Sequence, residues 1–188
     1  MSTRTAAHSR DYPVAAPAAR PMLLLWAILL LTAALIPALL LGKYGAARLA
    51  DPATWPGPVI LVVAGAVLHL AYRRQRISLD GRQLRIRSSF YTKAIDIGAL
   101  RMERARIVDL AEHTELKPAI KTNGFGMPGF QSGHFRMHDG GKAFCLVTDP
   151  GRVLVLASRD GGLVLLSPEQ PRALLDELKR RNGEPSIA

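Results

Sequence analysis

Two apolar runs near the N-terminus constrain this chain more than any other feature of its sequence. Residues 21–42 carry no charged side chain over 22 positions, and residues 52–72 carry none over 21. At about 1.5 Å per helical residue, either run is long enough to cross a hydrocarbon core of about 30 Å. We therefore expect a transmembrane α-hairpin at residues 21–73, followed by a small soluble domain that works beside a bilayer.

A cleaved secretory signal is the alternative interpretation of the first run. The apolar region of such signals usually has about 7–15 residues and ends at a small-residue cleavage site. The apolar core at residues 22–41 is longer, and a second apolar run follows it directly. These features favour a retained helix.

Basic residues on either side of the two runs predict the orientation of the hairpin. The N-terminal tail, residues 1–20, carries three arginines, whereas the connection between the runs carries only Lys43 and Arg48. Three more arginines follow the second run closely. The positive-inside rule therefore places both termini in the cytoplasm, with flexible tails expected at residues 1–20 and 184–188.

The net charge of +10 is concentrated just after the second run. Residues 73–107 carry ten basic and three acidic side chains, whereas residues 108–188 carry ten of each. Anionic headgroups attract juxtamembrane basic residues by about 1 kcal/mol each, and no nucleic-acid-binding motif is present, so membrane lipid rather than nucleic acid is the expected partner of this charge. The candidate contacts with anionic lipid are Arg73, Arg74, Arg76, Arg82, Arg85 and Arg87.

The soluble region begins with a predicted β-hairpin at residues 76–87, with Asp80-Gly81 as its turn. Antiparallel pairing places Arg85 and Arg87 on its outer face. The expected inner face consists of Ile77, Leu79, Leu84 and Ile86.

Short strands are expected over most of the remaining soluble region. After an irregular continuation to residue 94, a strand is predicted near residues 105–110. Residues 121–130 contain three glycines and a proline, which favour a shaped loop. Alternation at residues 133–138 and tight turns between apolar runs over residues 142–166 then indicate a meander.

A C-terminal helix is predicted after these strands. Ser167 is suited to cap it and Pro168 to occupy its first position. Leu174, Leu175 and Leu178 form one apolar stripe for docking. Six or seven strands followed by one helix outline a mainly-β barrel with a capping helix.

No catalytic or metal-binding pattern emerges from the sequence. On a strand, His134 and His138 would be about 13 Å apart, too far to share a metal ion. The single Cys145 lies in an apolar strand and is interpreted as an inert core thiol. Phosphate-loop, nucleophile-elbow and His-Glu-x-x-His motifs are absent, so neither an enzyme nor a cofactor is expected. The side chains that could belong to a catalytic set are His113, Ser132, His134, His138 and Asp139.

Residues of about 76–183 resemble the bacterial pleckstrin-homology (PH)-like domain. The resemblance rests on Asn123-Gly-Phe-Gly-Met-Pro-Gly-Phe-x-x-Gly-His-Phe135, on the strand at residues 142–148, and on Leu165-Leu-Ser-Pro-Glu-Gln-Pro171 before the final helix. It implies a bent, partly open barrel of seven strands with a C-terminal capping helix. Such domains often follow two transmembrane helices and act as membrane-attached binding or assembly modules.

We therefore expect a non-catalytic inner-membrane protein of bacteria that binds a protein partner or self-associates at the cytoplasmic face. Two alternatives remain open. The basic hairpin is a candidate for direct recognition of anionic lipid headgroups, and the chain is also a candidate subunit of a membrane enzyme or transporter complex.

Overall fold

The computed structural model describes residues 10–183, apart from the side chain of Arg48, and divides into two compact units. A helical unit comprises residues 18–73, and a β-rich unit comprises residues 10–17 and 74–183. Arg4 and the predicted C-terminal tail lie outside the described residues.

The helical unit contains the two expected apolar helices. Both α1 (Ala19–Tyr44, 26 residues) and α3 (Pro56–Arg73, 18 residues) are long and apolar enough to cross a membrane, judged by length and composition. A short helix and a 3-10 turn at Pro52–Thr54 connect them. The helices are α1 (Ala19–Tyr44), α2 (Ala47–Ala50) and α3 (Pro56–Arg73).

Close packing of α1 against α3 depends on Gly65. A Cβ atom at Gly65 would lie 2.8 Å from Leu29 Cδ1 and 3.3 Å from the ring of Trp26. His69 lies one turn further along α3, and its Nδ1 accepts a hydrogen bond from the Trp26 indole Nε1 at 3.3 Å. The absent side chain of Gly65 thus lets the large indole ring lie between the two helices.

The first sheet of the β-rich unit contains the predicted hairpin. Ile77 pairs with Ile86 and Leu79 with Leu84, and all four side chains are fully buried on the inner face. The tight turn consists of residues 81–82 rather than the predicted Asp80-Gly81, because Asp80 still pairs with Gln83 at the end of β2. The sheet has four antiparallel strands in chain order, namely β1 (Arg10–Tyr12), β2 (Gln75–Asp80), β3 (Gln83–Ser88) and β4 (Tyr91–Asp96).

Six strands form the second sheet, in the order β5-β9-β10-β8-β7-β6. The predicted meander is wrong, because β10 lies between β8 and β9 and runs parallel to β8. Both β8 and β10 are nearly continuous apolar runs, as central strands with two covered faces require. The strands are β5 (Leu100–Val108), β6 (Pro118–Met127), β7 (Phe130–Met137), β8 (Lys142–Val147), β9 (Val153–Ser158) and β10 (Leu163–Leu166).

The glycine-rich segment expected to be a loop instead forms most of β6 and the turn into β7. Gly124 lies directly opposite Gly133, and β6 contains two shifts of register. A Cβ atom at Gly133, where φ is +102°, would lie 2.8 Å from the Asn123 carbonyl oxygen. The loop prediction is wrong because these glycines allow close backbone approach in a bulged strand.

Apolar side chains cover both faces of the second sheet. Along β8, Phe144 and Leu146 point into the core shared with the first sheet and the C-terminal helix, whereas Cys145 and Val147 point to a second cluster. Leu110, from the loop after β5, belongs to that second cluster. The two sheets do not close into the expected barrel, and their ten strands exceed the seven that the resemblance implies.

The C-terminal helix α4 (Pro171–Gly183) docks through the predicted stripe. Leu174 and Leu178 are fully buried, and Leu175 packs half-buried against the same core.

The start of α4 differs from the expectation. Pro171, rather than Pro168, occupies the first helical position. Ser167 is buried and donates its hydroxyl to the Asp149 carbonyl at 2.9 Å, so it is not a helix cap. Pro168 forms an isolated β-bridge with Val14, and this extended pairing delays the helix.

Part of the expected N-terminal tail belongs to the β-rich unit. β1 pairs antiparallel with β2, with Tyr12 opposite Ile77. The ring of Tyr12 lies in the main core, and Val14 continues to the bridge with Pro168. The β-rich unit is therefore assembled from chain on both sides of the helical unit.

Candidate functional site

The outer face of the first sheet carries three of the six candidate arginines. Arg76 lies directly opposite Arg87, and Arg85 lies opposite Ser78. The alternation of the strands places all three side chains away from the core, where they are exposed. The predicted basic face is therefore present on β2 and β3.

Two carboxylates partly neutralise this face. Arg76 Nη2 lies 3.6 Å from Asp11 Oδ2, and Arg85 Nη2 lies 3.8 Å from Asp80 Oδ2. Both pairs are exposed, so each contributes at most about 1 kcal/mol to stability. The outer face therefore has its net positive charge nearest Arg87, at the end of the hairpin that leads to β4.

Arg82 takes a different position from the other arginines of the hairpin. Its Nη1 donates to the Arg181 carbonyl at 3.4 Å, and Arg181 Nη1 donates to the Gly81 carbonyl at 2.7 Å. Arg181 also donates from Nε to Glu177 at 2.7 Å. These contacts fasten the end of α4 to the hairpin turn, so the local role of Arg82 is structural.

The remaining two candidates flank the boundary between the units. Arg73 is the last residue of α3, and Arg74 is the first residue of the continuous part of the β-rich unit. The carbonyl of Arg74 accepts a hydrogen bond from the Ser89 backbone N–H at 2.9 Å. Ser89 and Phe90 form the β3–β4 turn, which the sequence did not single out because exposure and φ are not readable from residue type.

The titratable candidates for catalysis are not gathered in one place. His113 lies 3.2 Å from Glu115 in the loop after β5. Ser132 is buried on β7, whereas Asp139 is exposed and accepts a hydrogen bond from the backbone of Gly141. Among residues 10–183, no group of three or more His, Cys, Asp or Glu side chains is placed to hold a metal ion.

His134 instead borders an open cleft of about 480 Å³ beside β8. Its ring contacts Phe144 edge-on at 5.0 Å between centroids, and the Lys93 ammonium lies 5.5 Å from the centre of the same ring. Across the cleft, the Gly162 N–H and then the Ser158 hydroxyl lower the pKa of the Asp160 carboxyl. The cleft thus combines charges of both signs and does not pair a nucleophile with a base.

Cys145 has the environment of a structural residue. It is fully buried in the second cluster, and desolvation raises the pKa of its thiol far above the ordinary value. A buried thiol that stays protonated is a poor nucleophile.

The family described as Bacterial PH domain matches residues 75–182, which is more than half of the chain. Comparison with curated proteins and with solved structures gives no match. The matched region runs from β2 to the last turns of α4 and contains both sheets except β1. The PH-like domain expected from the sequence is confirmed, and the chain belongs to the bacterial PH domain family.

Proposed function

We propose that this protein is a membrane-anchored, non-catalytic interaction module. In this proposal α1 and α3 cross the bacterial inner membrane, and the PH-like domain binds a protein partner or a second copy of the chain at the cytoplasmic face. The family match supports an interaction module in general terms.

The observation that carries the proposal is the pairing of β1 with β2. Asp11 precedes α1 and Ser78 follows α3, yet the two residues are direct partners in one sheet. Segments that pair in one sheet lie on the same side of a membrane, so the chain between them crosses it an even number of times. No crossing and two crossings both meet this condition; the length and apolar composition of α1 and α3 favour two, and the basic residues at both ends favour the cytoplasmic side.

The exposed apolar surface of the helices also supports membrane anchoring. Within residues 10–183, all strongly exposed large hydrophobic side chains except Phe90 and Ile120 belong to the helical unit. Soluble monomers rarely expose a continuous apolar patch of more than a few hundred Å². Lipid chains would cover this surface.

A surface for a protein partner is available on β6, the edge strand of the second sheet. Ile120 is 63% exposed there, and the four other residues of the stretch 119–123 are exposed too. Unpaired strand edges are common contact sites for other chains. Ile120 is therefore the position from which a partner is best captured.

Crosslinking in native membranes tests this proposal. A photoreactive amino acid is placed at Ile120 in the full chain, and the matched control carries it at Arg159, which is exposed in the β9–β10 turn. We expect a crosslinked species of defined mass from position 120 and none from position 159. Monomers alone at both positions would contradict the proposal.

Contact with anionic lipid is a second candidate function, favoured by the three exposed arginines on the outer face of the first sheet. The test of this function uses the full chain, because a soluble fragment that starts at residue 76 would lack β1, which pairs with β2. The chain is placed in lipid nanodiscs, and a polarity-sensitive fluorophore is attached to Ala94→Cys. Ala94 is exposed and lies opposite Arg85. Adding phosphatidylglycerol to the discs should shift the fluorophore emission to shorter wavelength, and the double variant Arg85→Glu, Arg87→Glu should abolish this shift. An emission spectrum that is the same with and without phosphatidylglycerol would exclude this function.

A further inference from the structure

The β3–β4 turn combines a strained backbone with an exposed aromatic side chain. Ser89 has φ +53° and is the one non-glycine residue with positive φ among residues 10–183. Ser88 and Ser89 are both buried, whereas Phe90 is 55% exposed. The Phe90 ring thus projects into solvent, whereas the two serines before it are buried in the domain.

Three hydrogen bonds join this turn to other parts of the domain. Ser88 Oγ donates to Ser132 Oγ at 2.8 Å, and the Ser89 N–H donates to the Arg74 carbonyl at 2.9 Å. After the turn, the Tyr91 hydroxyl donates to a side chain of β6 at 2.9 Å. Exposure of Phe90 is therefore built into a rigid turn and is not a consequence of a loose loop.

The turn type sets the backbone conformation of Ser89. Ser88 pairs with Tyr91, so the turn has two residues, and such a turn needs a positive φ at its first position. L side chains rarely adopt positive φ, so a glycine at position 89 would fit the turn with less strain. The conformation of Ser89 sets the direction in which the next side chain, Phe90, leaves the domain.

Positive charge surrounds the base of the turn. Arg76 and Arg87 are direct cross-strand partners at the end of the hairpin next to it, and like charges in that arrangement repel each other. Asp11 lies 3.6 Å from Arg76 and compensates one of the two charges. An external anion that binds between Arg87 and the exposed Arg74 would compensate the remaining positive charge.

The turn is hydrogen-bonded to the residue that directly follows an apolar helix in the chain. Arg74 follows Arg73, the last residue of α3, and consecutive Cα atoms are about 3.8 Å apart. One hydrogen bond joins Arg74 to Ser89. If α3 crosses the membrane as proposed above, the turn lies at the lipid interface, where aromatic side chains and basic residues are both favoured.

We propose that the β3–β4 turn is an interfacial lipid anchor. The ring of Phe90 enters the boundary between headgroups and acyl chains, and Arg74, Arg76 and Arg87 contact lipid phosphates. This inference rests on the proposed membrane anchoring and names the lipid contact more closely, as an anionic phospholipid surface bound by one aromatic side chain and three arginines.

The test uses the full chain in nanodiscs of phosphatidylcholine, with or without phosphatidylglycerol. A polarity-sensitive fluorophore is attached to Thr92→Cys, which is exposed on the outer face opposite Arg87, or to Gln83→Cys at the far end of β3. The five residue steps from Gln83 to Ser88 span about 17 Å, so Gln83→Cys reports on a distant part of the sheet. Cys145 is fully buried, so brief labelling under native conditions modifies the introduced cysteine.

We expect the fluorophore at position 92 to emit at shorter wavelength and to be quenched by shallow nitroxide lipids, most strongly with phosphatidylglycerol. Phe90→Ser should reduce the quenching severalfold, whereas Arg159→Ser, a change in the exposed β9–β10 turn, should not. Arg87→Glu should remove the effect of phosphatidylglycerol. Equal quenching with and without Phe90 would overturn the anchor, and an unchanged lipid dependence in Arg87→Glu would overturn the phosphate contact.

Incorporation into the discs is measured first and separates the two proposals. A chain that remains outside the discs overturns the membrane anchoring, and the lipid anchor with it. A chain that incorporates but keeps position 92 as aqueous as position 83 overturns the lipid anchor alone.

Discussion

Replacing Tyr12 by alanine is expected to destabilise the PH-like domain, although Tyr12 lies before both apolar helices. Its side chain is only 7% exposed and belongs to the main core. Truncating a core aromatic to alanine costs about 3–5 kcal/mol. The Tyr12 hydroxyl is buried without a hydrogen-bond partner, so its removal returns part of that free energy, and we expect a net loss of about 2–3 kcal/mol.

The thiol of Cys145 provides the assay. It is fully buried and free, so it reacts with a maleimide only when the domain opens. Since about 1.4 kcal/mol corresponds to a tenfold change in an equilibrium, Tyr12→Ala should accelerate labelling of the full chain by about 30- to 140-fold.

Two control variants separate packing from polar effects. Tyr12→Phe should label at the wild-type rate or more slowly, because it keeps the ring and removes the unpaired hydroxyl. Asp11→Asn breaks only the exposed pair with Arg76 and should change the rate by less than about fivefold. A wild-type rate for Tyr12→Ala would refute the inclusion of β1 in the domain.

Three further predictions concern α4, the strained turn and the helical unit. Hydrogen bonds from Arg180 and then Arg181 lower the pKa of Glu177 from 4.5 to about 2, so its contribution to stability is complete above pH 4.5 and is lost as the pH falls towards 2. Glu177→Gln should therefore flatten the pH dependence of the urea midpoint in this range, and an unchanged slope would contradict the pairing. Ser89→Gly relieves the positive φ and removes a buried unpaired hydroxyl, so it should stabilise the domain by about 0.5–1 kcal/mol and slow labelling of Cys145; faster labelling would argue against strain. Gly65→Leu should separate α1 from α3 and shift the Trp26 emission strongly in a Trp55→Phe background, whereas Gly65→Ala requires only small displacements of the Leu29 side-chain end and of the Trp26 ring and should shift it much less; identical spectra for both variants would contradict the close packing.

Local patterns predicted the parts of the fold that depend on neighbouring residues. The alternation from Ile77 to Ile86 predicted the hairpin and its two faces correctly, because moving the turn by one residue shifts the pairing by two positions and leaves the same side chains on each face. The stripe of Leu174 and Leu178 likewise predicted the buried face of α4.

Non-local pairing explains what the sequence did not predict. Nothing around Tyr12 indicates that it pairs with a strand 65 positions later, and nothing around Leu163 indicates insertion between β8 and β9. Glycine-rich segments usually form loops, so Gly124 and Gly133 did not indicate a hairpin. In the structure they lie opposite each other, where the two backbones are too close for a side chain. In the candidate site, the arginines were readable from charge, but the exposure of Phe90 depends on the φ of Ser89 and on contacts with distant strands.

The most direct test of the account is labelling of single cysteines with a membrane-impermeant maleimide in intact and lysed spheroplasts. Ala53→Cys lies in the connection between the helices, Asp11→Cys in β1 and Gln83→Cys in β3, and all three positions are exposed in the structure. We predict that Ala53→Cys reacts in intact spheroplasts, whereas Asp11→Cys and Gln83→Cys react only after lysis. Reaction of Asp11→Cys and Gln83→Cys from opposite sides of the membrane would contradict the shared sheet, and reaction of both in intact spheroplasts would contradict a cytoplasmic PH-like domain.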